Sequence, residues 1–213
     1  MWNNRAMSNR YWISVVAVAL LAALAGVYIA RTLHQPAVTS LESGTSLPRP
    51  KVLADFDLVD TQGAAASPAS LRTHPTLVFF GFTHCPDVCP TTLAMLASVQ
   101  KQLAMPGLKV ALISVDPERD TPQQLGKYIS SFGGDLIGLT GTPPEIVKAS
   151  KSFGVAAERV DLPGGDYTMD HSATVFALDA QARIVAVFTP PFNARALTRD
   201  VTRLAPVLGS ARG

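Results

Sequence analysis

The apolar run TLVFFGF, from Thr76 to Phe82, leaves this chain few ways to fold. It has the length of one β-strand and is dense in β-branched and aromatic residues, without the apolar–polar alternation of a half-exposed strand. A strand of this kind has to be covered on both faces. The run therefore predicts a central strand in a sheet that has helices on both sides.

Other segments support an α/β fold. Three further apolar runs of strand length predict strands over Lys109–Val115, Thr174–Leu178 and Arg183–Phe188. Helices are expected between and after them, the last over residues 193–208. The order predicted is strand, helix, strand, two helices, two strands joined by a tight turn, and a final helix. This order indicates one compact α/β domain without internal repeats.

The helix boundaries follow from capping residues. Thr121 and Thr142 each precede a proline, as expected for an N-cap followed by the first helical residue. Gly133 and Gly154 are predicted to close the two helices, because glycine readily adopts the left-handed conformation of a helix end.

The N-terminus contains an uncharged apolar run of 18 residues, from Ile13 to Ala30. A helix needs about 20 such residues to cross a bilayer. The run predicts a transmembrane anchor over residues 13–30. The alternative, a cleaved signal peptide, would have a shorter apolar region of about 7–15 residues that ends in a small-x-small site.

Basic residues lie mainly before the apolar run, which predicts a cytoplasmic N-terminus over residues 1–12. Residues 31–50 are rich in Pro, Ser and Thr and are expected to form a tether. The folded domain is predicted over residues 51–213, outside the cytoplasmic membrane of a bacterium. A formal net charge of +2, without a Lys/Arg cluster, argues against nucleic-acid binding.

Both cysteines of the chain, Cys85 and Cys89, lie in THCPDVCPTT, directly after the first predicted strand. The carboxyl end of such a strand is where α/β sheets place their sites. Three interpretations fit the pair: two buried small residues, a thiol–disulfide couple, or two metal ligands. Thioredoxins have two residues between their cysteines, whereas three separate this pair. The spacing does not decide between redox chemistry and metal binding.

Pro90 fits best as the first residue of the next helix, because a proline further inside would remove a hydrogen bond and clash with the preceding turn. Cys89 would then lie at or near the N-cap. The positive end of the helix dipole would favour the thiolate form of both cysteines.

Of the four histidines, His171 is the candidate partner of the cysteines. It lies just before a predicted strand, in a loop that a thioredoxin-like sheet places opposite the cysteine loop. His34 and His74 are expected to be solvated, and His84 to point away from the adjacent Cys85. Two thiolates and one imidazole suit copper, since thiolates favour Cu(I) and a Cys/His set also tolerates Cu(II). A structural zinc site would require a fourth protein ligand.

Three motifs, GFTHCPDVCPTTL, ISVDPERDTP and DYTMDHSATVFALD, occur in this order. Together they strongly resemble the Sco (SenC) family of membrane-anchored, thioredoxin-fold copper proteins that assist cytochrome c oxidase assembly. The resemblance runs from about residue 52 to the C-terminus. RTHPT and DAQAR depart from the family pattern, but neither is at a ligand position. The resemblance implies a thioredoxin-like domain, with a central sheet flanked by helices, after one transmembrane helix.

The resemblance also implies a function. Cys85, Cys89 and His171 match the copper ligands of the family, so we expect a metallochaperone, rather than an enzyme, that acts on the copper A subunit of the oxidase. The domain would face the periplasm or cell exterior. The alternative is a thiol–disulfide oxidoreductase that reduces the partner's copper-ligand cysteines, with Cys85 attacking and Cys89 resolving.

The acidic loop of the second motif, which holds Asp116, Glu118 and Asp120, also matches the family. Helix capping and contact with solvent would account for these acidic residues as well as docking of a partner protein would. They are therefore not included in the predicted site.

Overall fold

The computed structural model describes residues 4–33, 40–103 and 105–209, which belong to two separate units. The first unit contains helix α1 (Asn4–Leu33). Among the described residues, no helix combines the length and apolarity needed to cross a bilayer. The anchor predicted over residues 13–30 therefore stays a prediction. His34 and most of the N-terminal half of the predicted tether lie outside the described residues.

The second unit is the α/β domain. Its elements are β1 (Gly44–Val52), β2 (Leu58–Asp60), β3 (Ala65–Ala66), β4 (Thr76–Gly81), α2 (Val88–Leu103), β5 (Lys109–Ser114), α3 (Pro122–Ser130), β6 (Leu136–Thr140), α4 (Pro143–Phe153), β7 (Ala157–Asp161), β8 (Tyr167–His171), β9 (Val175–Leu178), β10 (Arg183–Phe188) and α5 (Ala194–Leu208).

Among the described residues of this domain, the main sheet has eight strands in the order β1-β10-β9-β4-β5-β6-β2-β3. Strands β4, β5 and β6 run parallel to each other, and β9 lies antiparallel beside β4. Strands β7 and β8 form a separate antiparallel hairpin. The predicted α/β fold, with a central sheet flanked by helices, is confirmed.

The predicted core strand is confirmed as β4. All six of its residues are buried, and Leu77, Val78, Phe79 and Phe80 have no exposed surface. Burying each large apolar side chain contributes about 1.5–3 kcal/mol relative to leaving it in water. This burial makes β4 a rigid support for the cysteine loop that follows it.

The predicted helix starts are confirmed at two threonines. The Thr121 hydroxyl accepts a hydrogen bond from the backbone N–H of Gln124 at 3.2 Å, and α4 begins after Thr142, whose side chain makes no capping bond. Gly154 closes α4 with a left-handed φ of 82°. Helix α3 ends at Ser130, so the prediction that Gly133 closes it is wrong.

Six of the ten strands in the described part of the chain were not predicted: β1, β2, β3, β6, β7 and β8. Two of these, β6 and β1, change the predicted order of elements. Strand β6 lies between the helices α3 and α4, which the sequence order placed next to each other. Strand β1 begins at Gly44, inside the segment predicted as a tether, and pairs with β10. Residues 44–50 thus belong to the sheet.

Candidate functional site

The end of β4 delivers the cysteine loop. The Cys85 N–H donates to the Phe82 carbonyl at 3.3 Å, and α2 begins at Val88. Pro90 therefore lies in the first turn of α2 but two residues after the observed start, so the prediction that Pro90 is the first helical residue is wrong by two positions. Its missing N–H costs nothing there, because the first N–H groups of a helix have no partner within the helix.

The two cysteines are free thiols in different environments. Cys89 is fully buried and Cys85 is half-buried. The backbone N–H of Cys89 donates to the Cys85 sulfur at 3.4 Å. Burial, followed by a hydrogen bond with Cys85, raises the pKa of the Cys89 thiol well above its usual value. The expected thiolate at Cys89 is wrong, because loss of hydration outweighs the helix dipole.

His171 is the last residue of β8 and contacts the buried cysteine. Its Nε2 atom lies 3.5 Å from the Cys89 sulfur. Its ring packs edge-on against Phe79 and Phe82, with centroid distances of 6.1 and 5.8 Å. The predicted convergence of the histidine and cysteine segments is therefore present in the structure, while a role as metal ligands stays a prediction.

The protonation of His171 follows from its neighbours. Nδ1 lies 3.3 Å from the Ser172 carbonyl, which can only accept, so Nδ1 carries the proton and Nε2 presents its lone pair to Cys89. Burial lowers the pKa of the imidazole, although the Ser172 carbonyl and the Asp170 charge act in the opposite direction. A neutral imidazole is the form that binds metals.

Within the described residues, no three Cys, His, Asp or Glu side chains already surround a common point in the manner of a metal site. The donor chemistry nevertheless fits copper. A sulfur at about 2.3 Å and a nitrogen at about 2.0 Å from one ion would lie about 3.5–4 Å apart, using distances typical of Cys and His ligands. The separation of Cys89 and His171 is in this range. Cys85 has to bring its sulfur to the same point.

The other described histidines lie outside this cluster. His84 is exposed, with its Nδ1 at 3.1 Å from the Thr83 hydroxyl and 4.0 Å from Asp120. His74 packs over Gly107 in a loop. The prediction that neither takes part in the site agrees with these positions.

Two of the three acidic residues in the acidic loop, Asp116 and Asp120, are buried. The Asp120 carboxylate is fully buried and accepts hydrogen bonds from the Thr83 N–H at 3.0 Å, the Thr83 hydroxyl at 2.6 Å and the Ser114 hydroxyl at 2.6 Å. It fixes the cysteine loop to the end of β5. Asp116 is also buried, whereas Glu118 is exposed. Solvation therefore does not explain the two aspartates.

A cavity of about 680 Å³ opens beside His171, between α4 and the β7–β8 hairpin. Ile146 and Val147 of α4 line one side, and Met169 and His171 line the other. The imidazole is thus packed against aromatic rings and Cys89 but adjoins open space. An incoming molecule can approach His171 through this cavity.

Sequence reasoning missed two residues next to the site, Arg119 and Tyr167. The Arg119 guanidinium lies over the Tyr167 ring at 3.7 Å and 6.0 Å from the centre of the Phe82 ring. The available signal was the position of Arg119 in DPERD, directly after β5 and hence at the same edge of the sheet as the cysteines.

Comparison with known proteins identifies relatives of the chain. The SCO1/SenC family model matches residues 44–206. The mitochondrial SCO1 homolog 1 of Arabidopsis thaliana is 34% identical over 167 residues, which cover 77% of this chain. The matched part spans only 50% of that relative's length.

Solved structures agree with this match. The structure of Bradyrhizobium japonicum ScoI with copper bound is 42% identical to this chain and has a TM-score of 0.65. The match covers 71% of this chain and 98% of the ScoI chain. The copper-bound Arabidopsis thaliana ScoI is 32% identical, has a TM-score of 0.69, and covers 73% and 99% respectively. Together with the thioredoxin-like fold and the paired cysteines beside His171, these matches show that the chain belongs to the SCO1/SenC family.

Proposed function

We propose that the protein is a copper metallochaperone that binds one Cu(I) ion as cargo through Cys85, Cys89 and His171. The observation that carries the proposal is the 3.5 Å separation of the Cys89 sulfur and the His171 Nε2 atom. These atoms come from distant parts of the chain and meet beside the second thiol. Two sulfurs and one neutral nitrogen form a soft donor set that prefers Cu(I) and also tolerates Cu(II).

The same arrangement suits release of the ion. Cys85 is half-buried, and the cavity next to His171 admits donor groups from another molecule. A partner can therefore replace the ligands one at a time, starting from the accessible side. A fully enclosed site would hold the metal but would transfer it slowly.

Relatives support the choice of metal and recipient. The ScoI proteins of Bradyrhizobium japonicum and Arabidopsis thaliana have structures with copper bound. The resemblance to the Sco family points to the copper A subunit of cytochrome c oxidase as the recipient. The chaperone acts as a carrier in this proposal, so it needs no catalytic turnover.

The proposed location is the bacterial cytoplasmic membrane. The apolar run from Ile13 to Ala30 supports a single-pass anchor, and the basic residues before it support a cytoplasmic N-terminus. The domain would then face the periplasm or cell exterior, where copper delivery to an oxidase takes place.

A thiol–disulfide oxidoreductase is the second candidate function. The specific observation that favours it is that both cysteines are free and that the Cys85 sulfur, the more accessible of the two, lies 3.4 Å from the backbone nitrogen of Cys89. The Cys85 thiolate would attack a partner disulfide and release one partner thiol. Cys89 would then displace the second, leaving a Cys85–Cys89 disulfide and a reduced partner. His171 is not required for this reaction.

An anaerobic Cu(I) titration of the reduced protein against a competing chelator tests the proposal. We expect Cys85→Ser, Cys89→Ser and His171→Ala each to weaken binding by more than the roughly 10- to 100-fold that loss of an outer partner of a ligand costs. His84→Ala is the matched control and should bind as the wild type does. Unchanged binding by His171→Ala would contradict the metallochaperone and favour the oxidoreductase.

A further inference from the structure

Arg119 joins the acidic loop to the hairpin that carries His171. Its Nε donates to Asp116 Oδ2 at 2.5 Å, and its Nη1 donates to the Tyr167 carbonyl at 3.0 Å and to Asp166 at 3.3 Å. Asp116 lies just after β5, whereas Asp166 and Tyr167 lie at the start of β8. One side chain therefore bridges two segments about 50 residues apart in sequence.

Tyr167 contacts both Arg119 and Asp116, the carboxylate to which Arg119 is bound. Its hydroxyl donates to the other oxygen of Asp116 at 2.8 Å, and its ring lies under the Arg119 guanidinium at 3.7 Å. Arg159 covers the same ring, also at 3.7 Å. The Asp116 carboxylate is only 2% exposed, so these bonds are largely protected from water.

Arg119 also reaches the rings that surround His171. Its guanidinium is 6.0 Å from the centre of the Phe82 ring, which in turn lies 5.8 Å from the His171 ring. Phe82 accepts the Cys85 N–H through its carbonyl. Arg119 thus contacts both the strand end that leads to the cysteines and the hairpin that ends in His171.

The β7–β8 hairpin needs an additional attachment to the domain, because it is not part of the main sheet. Within the part of the chain that the structure describes, strands β7 and β8 pair only with each other, and every residue of β7 is exposed. A two-stranded hairpin is marginally stable by itself. Tyr167 and His171 lie four residues apart on β8, hence on the same face. Fixing Tyr167 therefore fixes the face that presents the imidazole.

We propose that Arg119, held in place by its ion pair with Asp116, is the positioning residue that keeps His171 against Cys89. The inference rests on the proposed function, in which His171 is a copper ligand, but Arg119 itself does not touch the metal. The role requires a planar guanidinium that stacks on Tyr167 while its separate N–H groups bond to Asp116 and to the backbone. A lysine ammonium keeps the charge but not this geometry.

The test compares Arg119→Lys and Arg119→Ala with Arg159→Ala. Arg159 stacks on the opposite face of Tyr167 and otherwise pairs with the exposed carboxylates of Asp161 and Glu118, so it is the matched control. The first measurement is the nuclear Overhauser effect between the Phe82 and His171 rings in the reduced, metal-free protein. We expect it in the wild type and in Arg159→Ala, and its loss in both Arg119 variants.

The second measurement is Cu(I) affinity. We expect a roughly 10- to 100-fold loss in both Arg119 variants, the range typical of losing a group that orients a ligand, and less than about a twofold change in Arg159→Ala. A wild-type ring contact in Arg119→Lys would overturn the inference. An equal effect of Arg159→Ala would also overturn it, because stacking on Tyr167 would then be the cause.

The two measurements separate this inference from the proposed function. If His171→Ala binds copper normally, the metallochaperone proposal fails, but the ring contact in the metal-free protein still decides whether Arg119 positions His171. If Arg119→Ala does not fold, Arg119→Lys decides the same question. Circular dichroism of each variant establishes which case applies.

Discussion

The Cys89 sulfur and the His171 Nε2 atom lie 3.5 Å apart, although 82 positions separate them in the sequence. The sheet explains this contact. Strand β4 ends just before the cysteine loop, and β9 begins just after His171, with Phe79 opposite Val175 in the antiparallel pair. The end of one strand and the start of the other therefore lie at the same edge of the sheet. A thiol–imidazole contact at this edge is a consequence of the topology.

Copper uptake should release protons. Because burial raises the pKa of Cys89, its sulfur is protonated at neutral pH and must lose that proton to bind copper. The pKa of His171 is lowered, so the imidazole is already neutral at pH 7 and contributes no proton. Apparent Cu(I) affinity should therefore fall as pH falls, by about tenfold per pH unit for each proton displaced.

Affinity measured between pH 6.5 and 8, together with proton release into a weakly buffered indicator solution, checks this dependence. Cys89→Ser should show a smaller slope, because it lacks the displaced proton. An affinity that does not change over this range would show that Cys89 is already a thiolate or is not a ligand.

Adding a methyl group at Gly81 should disturb the buried cysteine. A Cβ atom there would lie 3.0 Å from the Cys89 sulfur and 3.2 Å from a methyl group of Leu112, closer than ordinary packing allows. We expect Gly81→Ala to lower the free energy of unfolding by about 1–3 kcal/mol and to weaken Cu(I) binding.

Urea unfolding and the chelator titration measure the two effects of Gly81→Ala. Gly126→Ala in α3 is the control, since the three atoms nearest to its added methyl group all belong to the Thr61 side chain, the closest at 3.3 Å. It should leave copper affinity unchanged. Normal copper affinity in Gly81→Ala would mean that Cys89 can move without consequence for the site.

Asp200 should stabilise the start of the domain. Its buried carboxylate accepts hydrogen bonds from the backbone N–H groups of Glu42 and Ser43, both at 2.7 Å, and from the Ser43 hydroxyl at 2.8 Å. Asp200→Asn places an amide N–H₂ among these donors. We expect a loss of about 1–3 kcal/mol in the free energy of unfolding, measured with urea at pH 7. Glu42→Gln is the control and should have little effect.

The pH dependence of this contribution has a defined sign. Burial alone would raise the pKa of Asp200, but the bonds from Glu42 and Ser43 outweigh it and lower the pKa. The stabilisation is therefore fully present above the unfolded pKa of about 4 and is lost as pH falls through the lower folded value. If Asp200→Asn has the same stability as the wild type at pH 7, the carboxylate does not hold this segment.

The sequence predicted those elements whose burial leaves a clear pattern. Strand β4 is buried throughout and carries apolar side chains after Thr76, because both its faces are covered, and the cysteine loop follows it. Strand β6 was missed because Gly138 interrupts its short apolar run. A Cβ atom at Gly138 would lie 2.9 Å from Leu125, so the helix above the strand excludes a side chain there.

Strand β1 resembles a tether because it contains Pro48 and Pro50. It is an edge strand, where proline is tolerated, and its pairing with β10 is interrupted between Ser46 and Lys51, where both prolines lie. The β7–β8 hairpin shows no apolar pattern because all of β7 is exposed and because β8 is held partly by the polar contacts of Arg119 with Asp166 and Tyr167. Such contacts depend on the fold and leave no periodic signal.

For the candidate site, the motifs predicted which side chains meet but not their state. Cys89 was expected to be a thiolate because it lies near a helix start. Its complete burial, which reverses this expectation, depends on packing that only the folded chain reveals.

X-ray absorption spectroscopy of the reduced protein loaded with one equivalent of Cu(I) tests the central claim most directly. The proposed site predicts two sulfur neighbours and one nitrogen neighbour around copper, and loss of the nitrogen in His171→Ala. A spectrum that shows only sulfur neighbours and is identical in His171→Ala would contradict the account.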